Sequence, residues 1–349
     1  MSRYGTTVKE ALGWNGTGFD ESRVQFFRLL VEERIRRLEG ESEGPSSDPI
    51  HLFIKQEPHK LAKCRDGRYR LISAVSLVDT MVDRLVFGHL EQTVWQQSPI
   101  LIGWSPVKGG FRWLYDKLRG GPVLEIDKKG WDWSLQPWVV EALFAVVKEL
   151  TFDKSPRWEA LARKRFEALF CNPEFQWQGW RIKQQVEGIM KSGCYLTIFL
   201  NSVAQLLLHH LALYRLGWGE DKVATPYCMG DDTVQNARLT SLELKEYEAA
   251  LQSAGCIIGE STVSEGSAGF VFCGFQVTAV EAVPAYREKH AFQLLHLDPQ
   301  SEEQTLDAYQ QYYCFDEHFY GHVRKALRTV GPRRLRSTAL MQMQFRGEE

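Results

Sequence analysis

Tyr227-Cys228-Met229-Gly230-Asp231-Asp232-Thr233-Val234 is the stretch that decides how this chain is read. Apolar and β-branched residues flank a Gly-Asp-Asp turn, a hairpin signal with two carboxylates at its tip. The tripeptide alone says little, because Gly and Asp are favoured in any tight turn. The flanks say more. Two adjacent carboxylates on a buried apolar hairpin repel each other unless a cation neutralises them. An all-oxygen site of that kind suits Mg²⁺ or Mn²⁺.

Working outward, a second acidic piece lies upstream. Pro122 to Asp127 reads as a strand ending in acid, within Glu125-Ile126-Asp127-Lys128-Lys129-Gly130-Trp131-Asp132. If it neighbours the hairpin, Asp127 converges on Asp231 and Asp232. Three carboxylates holding two divalent ions about 3.5–4 Å apart can clamp an in-line phosphoryl transfer. A third piece runs from Ser192-Gly193 through Thr197 to Asn201, at the start of an apolar helix expected over 193–216. Thr197 and Asn201 are four apart and share a helical face. One reading is capping by Ser192 with an internal hydrogen-bond network. The other is that Asn201, Thr197 and Asp132 surround a ribose, whose 2′-OH marks RNA. A fourth piece, Lys55, Lys60, Lys63, Arg65, Arg68 and Arg70, is either a solvated loop or a set of cations for triphosphate oxygens.

The remaining chain supports an α+β fold built on an antiparallel sheet. Helices are expected over 21–39, after a Ser76 cap, and over 137–150, 155–170 and 241–254. Strands are expected over 51–55 and 68–75, with a second hairpin over 270–272 and 275–280, then a charged and mostly helical remainder. A length of 349 residues allows one large multi-lobed enzyme or two ordinary domains. The net charge of −2 excludes a uniformly basic nucleic-acid surface and leaves room for local ones. One is 55–70; another is 324–336, with Arg324, Lys325, Arg328, Arg333, Arg334 and Arg336. The scattered cysteines form no CxxC pair and read as reduced thiols in a cytosolic compartment. A zinc site on His59 and Cys64 fits no zinc spacing. No stretch is expected to reach the ~20 apolar residues of a membrane span, and the N-terminus lacks a signal-peptide layout.

Taken in order, these pieces resemble the viral RNA-dependent RNA polymerases of positive-strand RNA viruses. Asp127 and Asp132 match the D-x4-D of motif A. Ser192, Gly193, Thr197 and Asn201 match motif B, and Gly230-Asp231-Asp232 matches motif C. Lys55-Gln56-Glu57 and Arg70 are similar to the ends of motif F, and Phe272-Cys273-Gly274-Phe275 to motif E. Lys55 to Lys60, Arg70 to Ser73, and Gly103-Trp104-Ser105-Pro106 with Lys108-Gly109-Gly110 further resemble the sobemovirus and polerovirus group, the last stretch as motif G.

The resemblance implies a right-hand polymerase with a ferredoxin-like antiparallel palm sheet. Its lobes would be fingers over 1–120 and 136–185, palm over 121–135 and 186–280, and a small helical thumb over 281–349. It implies Asp127, Asp231 and Asp232 as catalytic metal ligands for Mg²⁺ (Mn²⁺ substituting), assisted by the Lys128 carbonyl. Lys55, Arg70, Asp132, Ser192, Gly193, Thr197 and Asn201 would bind the nucleotide. Ser105, Lys108, Cys273 and Gly274 would meet template and primer. Implied partners are template and nascent RNA, ribonucleoside triphosphates, viral replication proteins and a genome-linked protein, in membrane-associated replication complexes of the host cytoplasm. The chain departs from the family in motif D, because 255–269 contains no Lys and Lys245 lies within the preceding helix. Two rival readings are a reverse transcriptase, which should exclude a 2′-OH where Asp132 and Asn201 suggest binding, and a silent RNA-binding scaffold, which intact acids argue against.

Overall fold

A computed structural model describes residues 7–59, 61–91 and 95–348, so Lys60 lies outside the described residues. The chain divides into two compact units. Unit one is Met1–Lys55, Arg70–Gln92 and Asp132–Thr197; unit two is Gln56–Tyr69, Thr93–Trp131 and Ile198–Glu349. In chain order the strands begin with β1 (Ile50–Ile54), β2 (Leu71–Ala74), β3 (Pro122–Lys128), β4 (Glu174–Trp177) and β5 (Trp180–Lys183). They continue with β6 (Tyr227–Met229), β7 (Asp232–Asn236), β8 (Ile258–Glu265), β9 (Phe270–Phe272), β10 (Phe275–Val277) and β11 (Ala282–Pro284).

Unit one sets the sheet β2-β1-β4-β5 beside helices Glu21–Glu39, Leu77–Phe87, Pro137–Leu150 and Pro156–Phe170. Those helices begin where the sequence says they should. Asp20, Ser76 and Ser155 each accept a backbone N–H three residues on, and Pro137 and Pro156 occupy first-turn positions where no N–H is needed. Phe87, Phe144, Phe166 and Phe170 pack edge-on or tilted between helices. Beside them lies an ion cluster. Arg165 donates to Asp83 at 2.7 and 3.1 Å, Arg34 pairs with Asp79, and the Asp48 N–H also donates to Asp79.

Unit two is built on β6-β7-β3-β8, antiparallel throughout. With helices Thr197–Leu216 and Ser241–Ser253 the order is β3-helix-β6-β7-helix-β8. That connectivity, with spatial order β8-β3-β7-β6, is the split βαβ arrangement of ferredoxin-like sheets. A second sheet, β11-β10-β9, and the C-terminal helices share a core of Trp104, Phe111, Phe272, Tyr313 and Phe345.

Several expectations are corrected. The apolar helix starts at Thr197 rather than 193, because Gly193 bridges to Ala74 in strand fashion. Its length and composition would suffice to cross a membrane, against the expectation that no stretch would; 61% of that window is buried, as in a core helix. The strand over 275–280 breaks after Val277, and Ala282–Pro284 adds a third strand. The β4–β5 hairpin and β8 were not expected from the sequence. The 55–70 segment contains a short helix, Leu61–Arg65.

Candidate functional site

The carboxylates belong to unit two. β3 pairs with β7 through Val123–Asn236, Leu124–Gln235 and Glu125–Val234, so the same register two residues on brings Asp127 alongside Asp232. Asp127 is exposed near the end of β3 while its neighbours Ile126 and Lys128 are buried. The β6–β7 hairpin closes with Met229 opposite Asp232, leaving Gly230 and Asp231 as the turn. Gly230 has φ 68°, which a side chain would resist and a II′-type turn requires. Its N–H donates to Ser202 Oγ at 2.9 Å, and the Ser202 hydroxyl donates to the Ile198 carbonyl at 2.7 Å. The turn is therefore anchored to the second turn of the long helix by a residue that sequence reading missed.

The electrostatics are one-sided. Asp231 and Asp232 are exposed, and no Arg or Lys pairs with Asp127, Asp231 or Asp232 among the described residues. Solvent reaches Asp232 from one side while protein crowds the others. That crowding, with Asp231 and Asp127 adding repulsion, pushes its carboxyl up to about 6. The Cys273 thiol hydrogen-bonds to it and opposes the rise. The internal cation acting on the group is Lys128, only 8% exposed, with Nζ 3.4 Å from Thr233 Oγ1. Burial lowers its pKa, and Cys256, Cys228, Asp231 and Asp127 act against the fall.

Three oxygen donors with no compensating arginine have the chemistry to hold a hard divalent cation. As the side chains stand, however, no group of three or more His, Cys, Asp or Glu among the described residues is drawn together closely enough to hold one ion. Two other features shape the place. A Cβ on Gly259 of β8 would collide with the Asp127 carboxylate, so only glycine leaves that carboxylate its room. Glu125 points across the sheet and accepts the Val271 N–H at 3.0 Å, tying β9 to β3. Neither close approach has a signal in a single sequence.

Cys273 and Gly274 form the two-residue turn between β9 and β10, with φ 48° and 76°. The Cys273 thiol also lies 3.6 Å from the Met229 sulfur. Ser105 and Lys108 sit in a tight turn whose Gly109 N–H donates to the Phe345 carbonyl at 2.9 Å. Lys108 is exposed there with φ 56°. Glu57, its side chain 7% exposed, accepts from Lys289 at 3.1 Å.

The other expected nucleotide-binding residues are mostly in unit one. Lys55 and Arg70 face each other at the open end of β1–β2, where the Lys55 N–H donates to the Arg70 carbonyl at 2.8 Å. Ser192 Oγ accepts the Ser73 N–H at 3.2 Å, and a Cβ on Gly193 would lie 2.6 Å from the Ser73 carbonyl. Lys191, fully buried, donates to the Gly188 and Ile189 carbonyls and so fixes the approach to Ser192; burial brings its pKa down to about 8. The Thr197 hydroxyl, at the first position of the long helix, points back at the Lys191 and Cys194 carbonyls, 2.7 and 2.8 Å away, as a donor. The Asp132 carbonyl accepts the Met190 N–H at 2.7 Å. In unit two, Asn201 is 4% exposed, and its Oδ1 accepts the Trp131 indole N–H at 2.8 Å. For Thr197 and Asn201 the internal-network reading thus describes what their side chains do here.

The profile of the viral RNA-dependent RNA polymerase family matches residues 35–309. The chain is 38% identical over 257 residues to the replicase polyprotein P2AB of Southern bean mosaic virus, covering 67% of this chain and 24% of that protein. It is 32% identical over 200 residues to protein P1-P2 of Potato leafroll virus, covering 51% of this chain and 19% of that protein. It is 27% identical over 300 residues to the RNA-directed RNA polymerase of Mushroom bacilliform virus, covering 82% and 69%. The chain thus spans about a quarter or less of the length of the polyproteins it matches. With the profile covering most of the chain, the chain belongs to the viral RNA-dependent RNA polymerase family, in the neighbourhood of the sobemovirus and polerovirus replicases.

Proposed function

We propose that this chain carries out template-directed RNA synthesis, joining ribonucleoside triphosphates to an RNA 3′-OH and releasing pyrophosphate. One observation carries the reading: Asp127 and the Asp231–Asp232 turn come to the same end of adjacent antiparallel strands, exposed and without an arginine or lysine partner among the described residues. Asp127 and Asp231, with Asp232 and the Lys128 main-chain carbonyl, would hold Mg²⁺, with Mn²⁺ able to substitute. Ions bound there lower the pKa of an attacking hydroxyl and steady the charge on a leaving pyrophosphate. Because Asp232 is also held by Cys273, its part is to keep the turn in place as much as to ligate.

Lys55 and Arg70 supply cations suited to triphosphate oxygens. Asp132, Ser192 and Gly193 read the ribose, while Thr197 and Asn201, engaged with the protein, fix the shape around it. Ser105 and Lys108 guide template, and Cys273 and Gly274 support the primer. In this reading 1–120 and 136–185 are fingers, 121–135 and 186–280 palm, and 281–349 a small thumb. The protein works in the host cytoplasm, in membrane-associated replication complexes, with viral replication proteins and a genome-linked protein as partners.

The test is incorporation of labelled ribonucleotides on a short RNA template, with and without primer, in Mg²⁺ and in Mn²⁺. Incorporation by the parent chain and none by Asp231→Asn supports the reading; no incorporation by the parent chain in either ion overturns it. Asn201→Asp and Asp132→Ala should raise deoxynucleotide use relative to ribonucleotides. An unchanged ratio removes both residues from ribose choice.

A further inference from the structure

The chain just before Ser192 makes a bend that its own residues resist. Gly188 has φ 95°, and a Cβ on it would lie 2.3 Å from the Leu135 carbonyl. Ile189 has φ 55°, a left-handed conformation that is costly for a β-branched residue. The main chain is stitched down on three sides. The Gly188 N–H donates to the Phe170 carbonyl at 3.0 Å, the Ile189 N–H to the Leu135 carbonyl at 3.2 Å, and the Met190 N–H to the Asp132 carbonyl at 2.7 Å.

Lys191 closes this bend. Its side chain is 0% exposed, and its Nζ donates to the Gly188 carbonyl at 3.3 Å and to the Ile189 carbonyl. The ammonium lies 5.6 and 5.7 Å from the ring centres of Phe170 and Phe175, in reach of their π-faces. Its main-chain carbonyl works in the other direction, accepting the Cys194 N–H at 2.9 Å and the Thr197 hydroxyl. One residue therefore grips the chain before Ser192 with its side chain and the chain after it with its backbone.

We infer that the Lys191 ammonium is a positioning charge for ribose recognition, holding segment 190–193 against Asp132 so that Asp132 and Ser192 keep one spacing. The inference rests on the reading of those two residues as ribose contacts, and every residue in it belongs to unit one. A Met of the same length would fill the space without the cost of burying a charge. What the ammonium adds is its hold on two strained carbonyls and an attraction for the Asp132 carboxylate. That attraction favours ionised Asp132, the form that accepts a bond from a ribose hydroxyl.

The charge is also conditional. Burial brings the Lys191 pKa down to about 8, against the pull of Cys194 in its own loop, Asp132, and Cys171 at the end of helix Pro156–Phe170. Burial raises both thiols, Cys194 to about 11, so Lys191 is the group of this cluster that changes charge near pH 8. The ammonium is present below that pH and lost above it, and ribose preference should be lost with it.

The experiment is equilibrium dialysis of the full chain with labelled ATP and dATP in Mg²⁺, between about pH 7 and 9, which needs no turnover and uses a base that does not titrate in this range. The parent should prefer ATP at pH 7. Lys191→Met should weaken ATP binding about tenfold, the worth of one well-placed hydrogen bond, and leave dATP nearly unchanged. Its melting should hold or rise, because a buried charge has gone. Raising the pH should bring the parent to the variant's ratio of ATP to dATP affinity, while the variant's ratio stays flat. Lys164→Met, an exposed cation of the same unit, should behave as the parent does. The parent profile involves no substitution, so it decides the matter even where a variant folds poorly. A parent ratio that does not change with pH, or a Lys191→Met ratio within twofold of the parent at pH 7, overturns the inference and leaves the polymerase reading standing wherever the parent incorporates ribonucleotides. A preference that follows Lys191 in a chain that incorporates nothing upholds the inference, and the polymerase reading falls.

Discussion

Two groups of aspartates in this chain meet the same electrostatic problem in opposite ways. In unit one, Asp79 and Asp83 are almost wholly buried, 1% and 0% exposed, and arginines answer them from inside the protein. Arg165 grips Asp83 with two hydrogen bonds, and Arg34 bridges Asp79 and Asp48. Burial, with Asp79 adding to it, drives the Asp83 pKa up, and Arg165 opposes the rise. In unit two, Asp127, Asp231 and Asp232 stand at the open end of a sheet and pair with no arginine among the described residues. One buried lysine acts from beneath, and burial, with repulsion from Asp231 and Asp127 added, raises the pKa of Asp232. The first arrangement closes on itself and can only hold helices together. The second stays open to a cation from outside, which is what a phosphoryl-transfer site requires.

The comparison breaks most sharply under single substitutions. Asp127→Asn and Asp231→Asn should each reduce incorporation by roughly a thousandfold or more while the melting temperature holds or rises, because a repulsive charge has been removed. Arg165→Met should act the other way. Leaving Asp83 buried without its partner costs about 3–5 kcal/mol, so the chain should lose its cooperative melt or fail to fold. Replacing Arg165 and Asp83 together by apolar residues should recover most of that loss. Paired measurements of melting and incorporation check both arms. An Asp231→Asn chain that unfolds, or an Arg165→Met chain that melts normally, would remove the distinction.

A smaller effect sharpens it. Gly259→Ala places a methyl group against the Asp127 carboxylate. Displacing a reacting group by about 1 Å can cost on the order of a hundredfold, so incorporation should fall ten- to a hundredfold with little change in melting. Gly193→Ala, whose Cβ would press on the Ser73 carbonyl, is the matching change in unit one. It should weaken nucleotide use through the Ser192 loop rather than through the carboxylates, appearing as a higher KM with a smaller change in kcat.

What was legible beforehand follows the same division. Asp127, Asp231 and the strands carrying them could be read because a strand ending in acid and a hairpin tipped by acid are local patterns. Their order of elements indicated an α+β class with an antiparallel sheet, while the ferredoxin-like order was only what the family resemblance implied, since β8 had no local signal. The β4–β5 hairpin escaped notice because Glu174 to Lys183 exposes both polar and aromatic residues and lacks a clean apolar stripe. β8 escaped because its alternation is mostly polar. The helix was expected four residues early because nothing local reveals that Gly193 docks on a strand 119 residues away in sequence. Gly259, Ser202 and Lys191 act through close approach or burial, which only the folded chain discloses. The basic segment at 324–336 was half misleading: Arg334 and Arg336 are engaged by Glu303 and Asp307, and Arg324 by Tyr320 and the Arg336 carbonyl.

The smallest expected effect concerns a buried group with neither an arginine nor a carboxylate beside it. His209, 2% exposed, shares a 2.7 Å hydrogen bond with the Tyr247 hydroxyl. Burial, then His210 and Lys128, bring its pKa down to about 3, well below the 6.5 of an exposed imidazole. The unfolded chain therefore takes up a proton between pH 6.5 and 3 that the folded chain refuses. Stability rises with pH wherever the unfolded state binds more protons, so this contribution is fully present above pH 6.5 and is lost as the pH falls toward 3. One such proton tilts stability by at most about 1.4 kcal/mol per pH unit. Urea unfolding between pH 7 and 5 should show that slope, and His209→Gln should flatten it. An unchanged slope would mean that His209 is not held neutral and that acid acts through other groups. A flattened slope would establish a third way of holding an ionisable group here: one buried and kept uncharged, beside one buried and neutralised from within and one left open to a cation.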